Sequence, residues 1–351
     1  MTKLSVLSIG AGAIGTYIGG SLAFHRHKVT FVERPQVAEE LRARGLHIEA
    51  MNSRGEGSIF IIPPSVVAFA DSLDEALAYG PFDFAIFALK SFDTAPFLES
   101  LTPNPYPLPS ILCLSNGVDN ESTLAHALGH NRVIAGTVTS SIGRRAAGDI
   151  VLERLRGVGV AAGHPLSKRL VAALDEAGLQ AQLFPRAADM KWSKMLTNLL
   201  ANATSAILDM PPAEIFAHPG LYRLEIAQLR EALAVMRAQG IRAVDLPGTP
   251  VRLLAFAARY LPLAISRPLL GKAVGGGRGG KMPSFHIDLH SGRGKSEVDY
   301  LNGAVLRAGE RLDIPTPVNK LLTETLLGLT QGEIPLGAFA RQPEKLVSKR
   351  K

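Results

Sequence analysis

The sequence predicts an α/β fold: a doubly wound parallel sheet over residues 1–186, then an all-helical domain over residues 187–351. Three observations predict it. Apolar runs without polar alternation recur through the first half, as strands do when helices cover both faces of a parallel sheet. Helix-patterned segments separate those runs, which gives the alternation of a βαβ architecture. Past Pro185 the strand pattern stops, and only amphipathic helices follow.

The strand candidates, in order, are "LSVLSI", "KVTFVE", "DFAIFAL", "SILCLS" and "RVIAGTV". Among the helical segments between them, one is opened by the capping box Ser72-Leu73-Asp74-Glu75. "GDIVLE" and "GVGVAAG" read as a pair of antiparallel strands, and "QAQLFP" as a late strand ending at Pro185. In the second half, "GLYRLEIAQLREALAVMRAQG" and "PVNKLLTETLLGLTQG" are amphipathic helices closed by glycine. The section from Pro247 to Pro283 is rich in Pro and Gly and reads as irregular, with "GGGRGGK" as a mobile segment.

Composition narrows the function. A chain of 351 residues with 46% hydrophobic content can bury a large core. The lone cysteine, Cys113 in "ILCL", excludes an internal disulfide and reads as core filler in a reducing compartment. "MTKLSVLSIGAGAIG" lacks a signal-peptide cleavage site, and "LLAFAARYLPLAISRPLL" is interrupted by Arg, Tyr and Pro, so no membrane span is expected. A soluble cytoplasmic protein is the expectation. The net charge of +7 is spread over scattered basic residues, without the aromatic interleaving of a nucleic-acid surface. It suits an anionic cofactor and an anionic substrate instead.

Gly10-Ala11-Gly12-Ala13-Ile14-Gly15 has G-x-G-x-x-G spacing, follows the first strand and opens a helix. That context makes it the phosphate loop of a Rossmann-type domain. Gly10 allows the tight turn, Gly12 the approach of a pyrophosphate and Gly15 close helix–strand packing. The helix N-terminus supplies N–H groups and partial positive charge. At the end of the second strand, "FVERP" offers two readers of the ribose. Glu33 would accept from a 2′-hydroxyl and favour NAD, whereas Arg34 would pair with a 2′-phosphate and favour NADP.

"KWSKMLTNLLAN", from Lys191 to Asn202, reads as one helix. Lys194, Asn198 and Asn202 recur every fourth position, Ser205 continues the stripe, and Trp192, Met195, Leu196 and Leu199 take the other side. Each Asn costs roughly 0.5 kcal/mol of helix propensity against Ala, so a solvated face would not choose it. One ammonium among amides suits a proton donor to a carbonyl oxygen beside groups that fix a substrate. A half-buried face bonded to backbone fits the spacing equally well.

With these motifs the chain resembles the ketopantoate reductase family, the 2-dehydropantoate 2-reductases, over nearly its whole length. "GAGAIG" is similar to the family's nucleotide loop, and "ALKSFDT" to its segment carrying Lys90, a position tied to catalysis and cofactor contact. "LSNGVDN" is similar to its Asn-Gly turn, which puts Asn116 near the nicotinamide and the substrate. "KWSKMLTN" is similar to its W-x-K-x-x-x-N signature, which makes Lys194 the catalytic lysine and Asn198 and Asn202 substrate ligands. "KMPSFHID" with "KSEVDYLNG" is similar to its final signature, which implies a substrate role for Ser284 and a catalytic role for Glu297 at substrate and cofactor. Arg34 stands at the offset of the family's phosphate-binding arginine. The resemblance implies NADPH-dependent reduction of 2-dehydropantoate to pantoate, in pantothenate and coenzyme A synthesis.

Two other readings compete: a related 2-oxo acid reductase with another side-chain preference and NADH, and a nucleotide sensor without chemistry. The oligomeric state stays open, a homodimer included. Independently of the family, Ser296-Glu297-Val298-Asp299 is a capping-box pattern that would put Glu297 in a helix's first turn. His286 and His290 in "HIDLH" are spaced as a metal pair, but the sequence offers no third ligand and lacks the H-E-x-x-H form, so no metal site is expected.

Overall fold

A computed structural model describes residues 3–51, 57–278 and 281–349. The chain divides into two compact units. The first holds Met1–Asn116, Asn120–Lys191 and Leu246–Thr249; the second holds Gly117–Asp119, Trp192–Asp245 and Pro250–Lys351.

Among the described residues, the strands all fall in the first unit: β1 Ser5–Ile9, β2 Lys28–Val32, β3 Leu46–Met51, β4 Gly57–Ile62, β5 Ala68–Ala70, β6 Phe84–Phe87, β7 Ile111–Cys113, β8 Val133–Val138, β9 Ser141–Ala146, β10 Asp149–Arg154, β11 Val158–Ala161 and β12 Ala181–Phe184. Its helices are α1 Ala13–Phe24, α2 Pro35–Arg44, α3 Leu73–Ala78, α4 Thr94–Glu99, α5 Asn120–Leu128 and α6 Ser167–Glu176. A seventh, α7 Ala187–Leu199, crosses the division between Lys191 and Trp192.

The large sheet has the order β12-β11-β8-β7-β6-β1-β2-β5, parallel throughout except where β11 meets β8. The chain runs from β1 outward through β2 to β5, then returns to β6 on the other side of β1. That reversal is the crevice-forming switch point of a doubly wound sheet. The fold class expected from the sequence is the one observed.

A second sheet, β4-β3-β10-β9, was not expected. Helix α1 packs against strands of both sheets, which explains why eight of its twelve residues are buried. A Cβ on Gly19 would stand 2.7 Å from Phe31 of β2, and one on Gly20 2.7 Å from Ile48 of β3. Both sheets therefore close onto this one helix.

The expected antiparallel pair of "GDIVLE" and "GVGVAAG" does not form. The first, β10, bonds to β9 and β3 in the small sheet, whereas the second, β11, bonds to β8 and β12 in the large one. Gly157, at φ +138°, turns the chain from one sheet to the other.

The second unit is helical: α8 Asn202–Leu208, α9 Pro212–Ala217, α10 Pro219–Ala238, α11 Val251–Tyr260, α12 Leu263–Arg278, α13 Ser284–His290, α14 Val298–Arg311, α15 Pro317–Gln331 and α16 Pro343–Ser348. Helix α8 packs on α13 and α15, and α10 on α14 and α15. Inside lies a polar ladder. The Asn302 amide donates to Gln228 Oε1 (3.0 Å) and Asn319 Oδ1 (3.1 Å), and all three side chains are fully buried.

Two expectations fail in this unit. The section from Pro247 to Pro283 is largely helical, because Pro250 and Pro262 stand just ahead of α11 and α12, where a missing N–H costs nothing. The "GGGRGGK" segment falls partly in α12, and Gly279 and Gly280 lie outside the described residues. The helix expected from Lys191 to Asn202 is broken at Ala201, whose φ of +52° is left-handed. No helix among the described residues is long and apolar enough to cross a membrane.

Candidate functional site

In the first unit the glycine loop leaves β1 at the switch point. Gly10 has φ +97°, a conformation that penalises any side chain. A Cβ on Gly15 would lie 2.0 Å from the carbonyl oxygen of Gly10, so this glycine lets the helix start against the strand. A Cβ on Gly12 would meet nothing within 4 Å. Gly12 is the N-cap of α1, whose first-turn N–H groups have no partner within the helix. An approaching pyrophosphate fits that arrangement.

Ala11 is pinned on both sides of its residue. Its N–H donates to Glu33 Oε1 (2.7 Å), and its carbonyl accepts from Gly148 N (2.9 Å) and Thr16 Oγ1 (2.8 Å). Glu33 is therefore turned toward the glycine loop, its other oxygen accepting from Arg34 N (3.3 Å). Arg34 is exposed at the N-cap of α2. The structure brings the acidic reader to the loop and leaves the basic one at the surface.

The next two parallel strands, β6 and β7, end in loops that are bonded together. Ser115 Oγ donates to Leu89 O (2.8 Å), and Ser91 Oγ donates to Asn116 O (2.8 Å). Asn120, buried, accepts from Thr94 Oγ1 (2.8 Å) and donates to Ser91 Oγ (3.2 Å). These bonds hold Lys90 and Asn116, both half-buried, beyond the carboxyl ends of β6, which neighbours β1, and of β7, the next strand out. Gly117 at φ +88° makes the expected Asn-Gly turn.

Sequence reasoning missed the residue that supports this corner. Lys191 is 5% exposed, and its Nζ donates to Ser115 O (2.7 Å) and lies 2.7 Å from Glu121 Oε1. A buried lysine with a carboxylate and a carbonyl is a structural anchor. Cys113 nearby is fully buried, and burial pushes its thiol well above the usual range, as suits core filler.

In the second unit, α7 carries Lys194 and Asn198 one turn apart and half-buried, above the buried row of Trp192, Met195, Leu196 and Leu199. Asn202 does not continue their helix, since the break at Ala201 intervenes. Instead it opens α8 and reaches α13. Its Oδ1 accepts from Phe285 N (3.0 Å), and its Nδ2 donates to Ser284 Oγ (3.3 Å). Asn202 thus caps α13 and aims its first residue, Ser284. Ser205 is fully buried rather than part of an open face.

Glu297 is 1% exposed at the N-cap of α14, one position before the first turn where the capping-box pattern puts it. Ser296 Oγ accepts from Val298 N (3.2 Å) in a tighter turn than that box requires. The break at Ala201 has a cause that no local pattern could reveal. Glu225 of α10, fully buried, accepts from Ala201 N (2.7 Å), Thr204 Oγ1 (2.7 Å) and Gln228 Nε2 (2.6 Å).

Comparison with known proteins decides the family. The profile described as "Ketopantoate reductase PanE/ApbA" matches residues 6–162, and that described as "Ketopantoate reductase PanE/ApbA C terminal" matches residues 186–330. The chain belongs to the ketopantoate reductase family. A 2-dehydropantoate 2-reductase from Pyrococcus horikoshii is 24% identical over 327 residues, 91% of this chain and 95% of its own. One from Halobacterium salinarum is 23% identical over 332 residues, 92% of this chain and 97% of its own.

Among solved structures, a PanE/ApbA family ketopantoate reductase from Ralstonia eutropha superposes with a TM-score of 0.75 at 25% identity, covering 93% of this chain and 99% of its own. D-mandelate dehydrogenase, in a ternary structure with NADH and anilino(oxo)acetate, shares the fold with a TM-score of 0.72 at 20% identity, covering 93% of this chain and 98% of its own. Membership of the ketopantoate reductase family makes this chain an oxidoreductase.

Proposed function

We propose that this reductase converts 2-dehydropantoate to pantoate with NADPH, within pantothenate and coenzyme A synthesis. Two observations support the reading: Lys194 and Asn198 stand half-buried one turn apart on α7, and Asn202 donates to Ser284 at the start of α13. The bound coenzyme would supply hydride to the ketone carbon. Lys194 would polarise the ketone oxygen and protonate it as negative charge develops there, the work of a positioned general acid. Asn198 and Ser284 would bind the carboxylate and carbonyl oxygens. Asn202, with both ends of its amide engaged, supports Ser284. Glu297 would accept from the terminal hydroxyl, and Lys90 and Asn116 would contact coenzyme and substrate. A nucleotide sensor would have no use for a proton donor such as Lys194.

One observation favours a second reading, a 2-oxo acid reductase linked to NADH. The Glu33 carboxylate faces the glycine loop, where it would accept from ribose hydroxyls and repel a 2′-phosphate. NADPH use requires Arg34 to answer that phosphate with a charge-assisted pair. Steady-state assays of a panel of 2-oxo acids with both coenzymes test the two. The expected result is higher kcat/KM for 2-dehydropantoate with NADPH, and an Arg34→Ala variant whose KM for NADPH rises about tenfold, roughly 1.4 kcal/mol, with NADH unaffected. Higher kcat/KM with NADH would make Glu33 the reader, and preference for another acid would change the substrate.

A further inference from the structure

We propose that Asp209, His286 and His290 form a binding site for a divalent transition-metal ion of the zinc type. The third ligand that the sequence did not offer comes from another helix. Asp209 is the C-cap of α8, whereas His286 and His290 stand one turn apart on α13. One ligand atom from each residue lies within 4.8 Å of the other two. His286 Nε2 is 2.8 Å from Asp209 Oδ1, and the two imidazole rings have centroids 4.2 Å apart.

The distances suit an ion after small rotations. Bonds of ~2.1 Å in a tetrahedral zinc site put donor atoms ~3.4 Å apart. Asp209 and His290 are exposed, so both side chains can swing that far, while the half-buried His286 supplies the fixed point. The donor set selects the class of ion. Two imidazoles and one carboxylate suit zinc, nickel, cobalt or copper, while calcium and magnesium ask for oxygen throughout. Remaining coordination positions would be filled by water.

A His286–Asp209 ion pair accounts for two of the three groups. It leaves the second imidazole, whose ring centroid lies 4.2 Å from the first, without a role; a shared cation gives it one. The ion would also brace α8 against α13, the helices that bring Asn202 to Ser284.

The test is titration of zinc ion alone into the untagged full chain at about pH 7.5, against a chromophoric chelator. Expected is one saturable site per chain. Affinity should fall at least tenfold in His290→Gln and in Asp209→Asn. Circular dichroism of the metal-free variants controls for folding, and His290, exposed at the end of α13, is the safer substitution. Absence of saturable binding, or affinity unchanged in His290→Gln, would overturn the site. Loss in His290→Gln with none in a folded Asp209→Asn would also overturn it, because Asp209 would then not be a ligand.

Discussion

Lys191 and Lys194 stand three residues apart on α7, yet they differ in burial. Lys191 is buried against Glu121 and the Ser115 carbonyl; Lys194 is half-buried beside Asn198. The stripe of Lys194 and Asn198 was legible in the sequence because helical spacing alone puts residues four apart on one face. Lys191 was not, since its partners lie 55 to 76 residues away along the chain. The two lysines should respond differently to substitution. Lys194→Ala is expected to lower kcat by roughly 10²–10⁴, the range of a positioned general acid, with coenzyme affinity and stability near normal. Lys191→Met should lower stability by about 3 kcal/mol, because it strands the buried Oε1 of the Glu121 carboxylate. Urea unfolding beside steady-state kinetics separates them. A Lys194→Ala enzyme with near-normal turnover would remove Lys194 from the chemistry.

At the scale of elements, legibility followed burial. Strands β1, β2, β6, β7 and β8 could be read because helices cover both faces and their apolar runs are unbroken. The small sheet could not: β4 exposes Ile59 and Ile61, so its apolar residues give no clean sign of which face is covered. Pairing of β10 and β11 was misread because local sequence gives strands but not their partners. The break between α7 and α8 escaped for a related reason. Helical spacing continues across it, and the group that breaks it, Glu225, belongs to α10. A left-handed alanine costs roughly 1–2 kcal/mol, which the three bonds to Glu225 offset. Ala201→Gly should therefore be neutral or stabilising by up to about 1 kcal/mol, whereas glycine in a helix interior costs about that much. Glu225→Ala should cost about 3 kcal/mol or more by stranding buried donors. Equal losses of about 1 kcal/mol in both variants, read from urea midpoints, would mean that the break is not held by Glu225.

Stability of the whole chain should depend on pH through the entry to the central strand. His27 is 7% exposed, and its Nδ1 accepts from Leu4 N (3.0 Å), while Lys28 N donates back to Leu4 O (2.9 Å). Those bonds fix the start of β1, which β2 and β6 flank and from which the glycine loop springs. An imidazole nitrogen can accept only while unprotonated. Burial, the largest effect, pushes the His27 pKa below its ordinary value, with His25 and Lys3 acting in the same direction and Glu176 and Asp83 against it. The sign follows from proton counts. Below about pH 6.5 the unfolded chain takes up a proton that the folded chain refuses, so stability falls with pH from there down to the folded value. A second acid effect runs in parallel: proton uptake adds positive charge to a chain already at +7, and self-repulsion grows. Salt separates the two, because at ~1 M the screening length is only ~3 Å and long-range repulsion disappears. In His27→Asn the amide oxygen can accept from Leu4 N with no proton to gain. Thermal unfolding between about pH 7.5 and 5.5 in ~1 M salt should therefore show a smaller loss of Tm for His27→Asn than for the native chain. An identical slope in the two proteins would place the acid sensitivity elsewhere than at the start of β1.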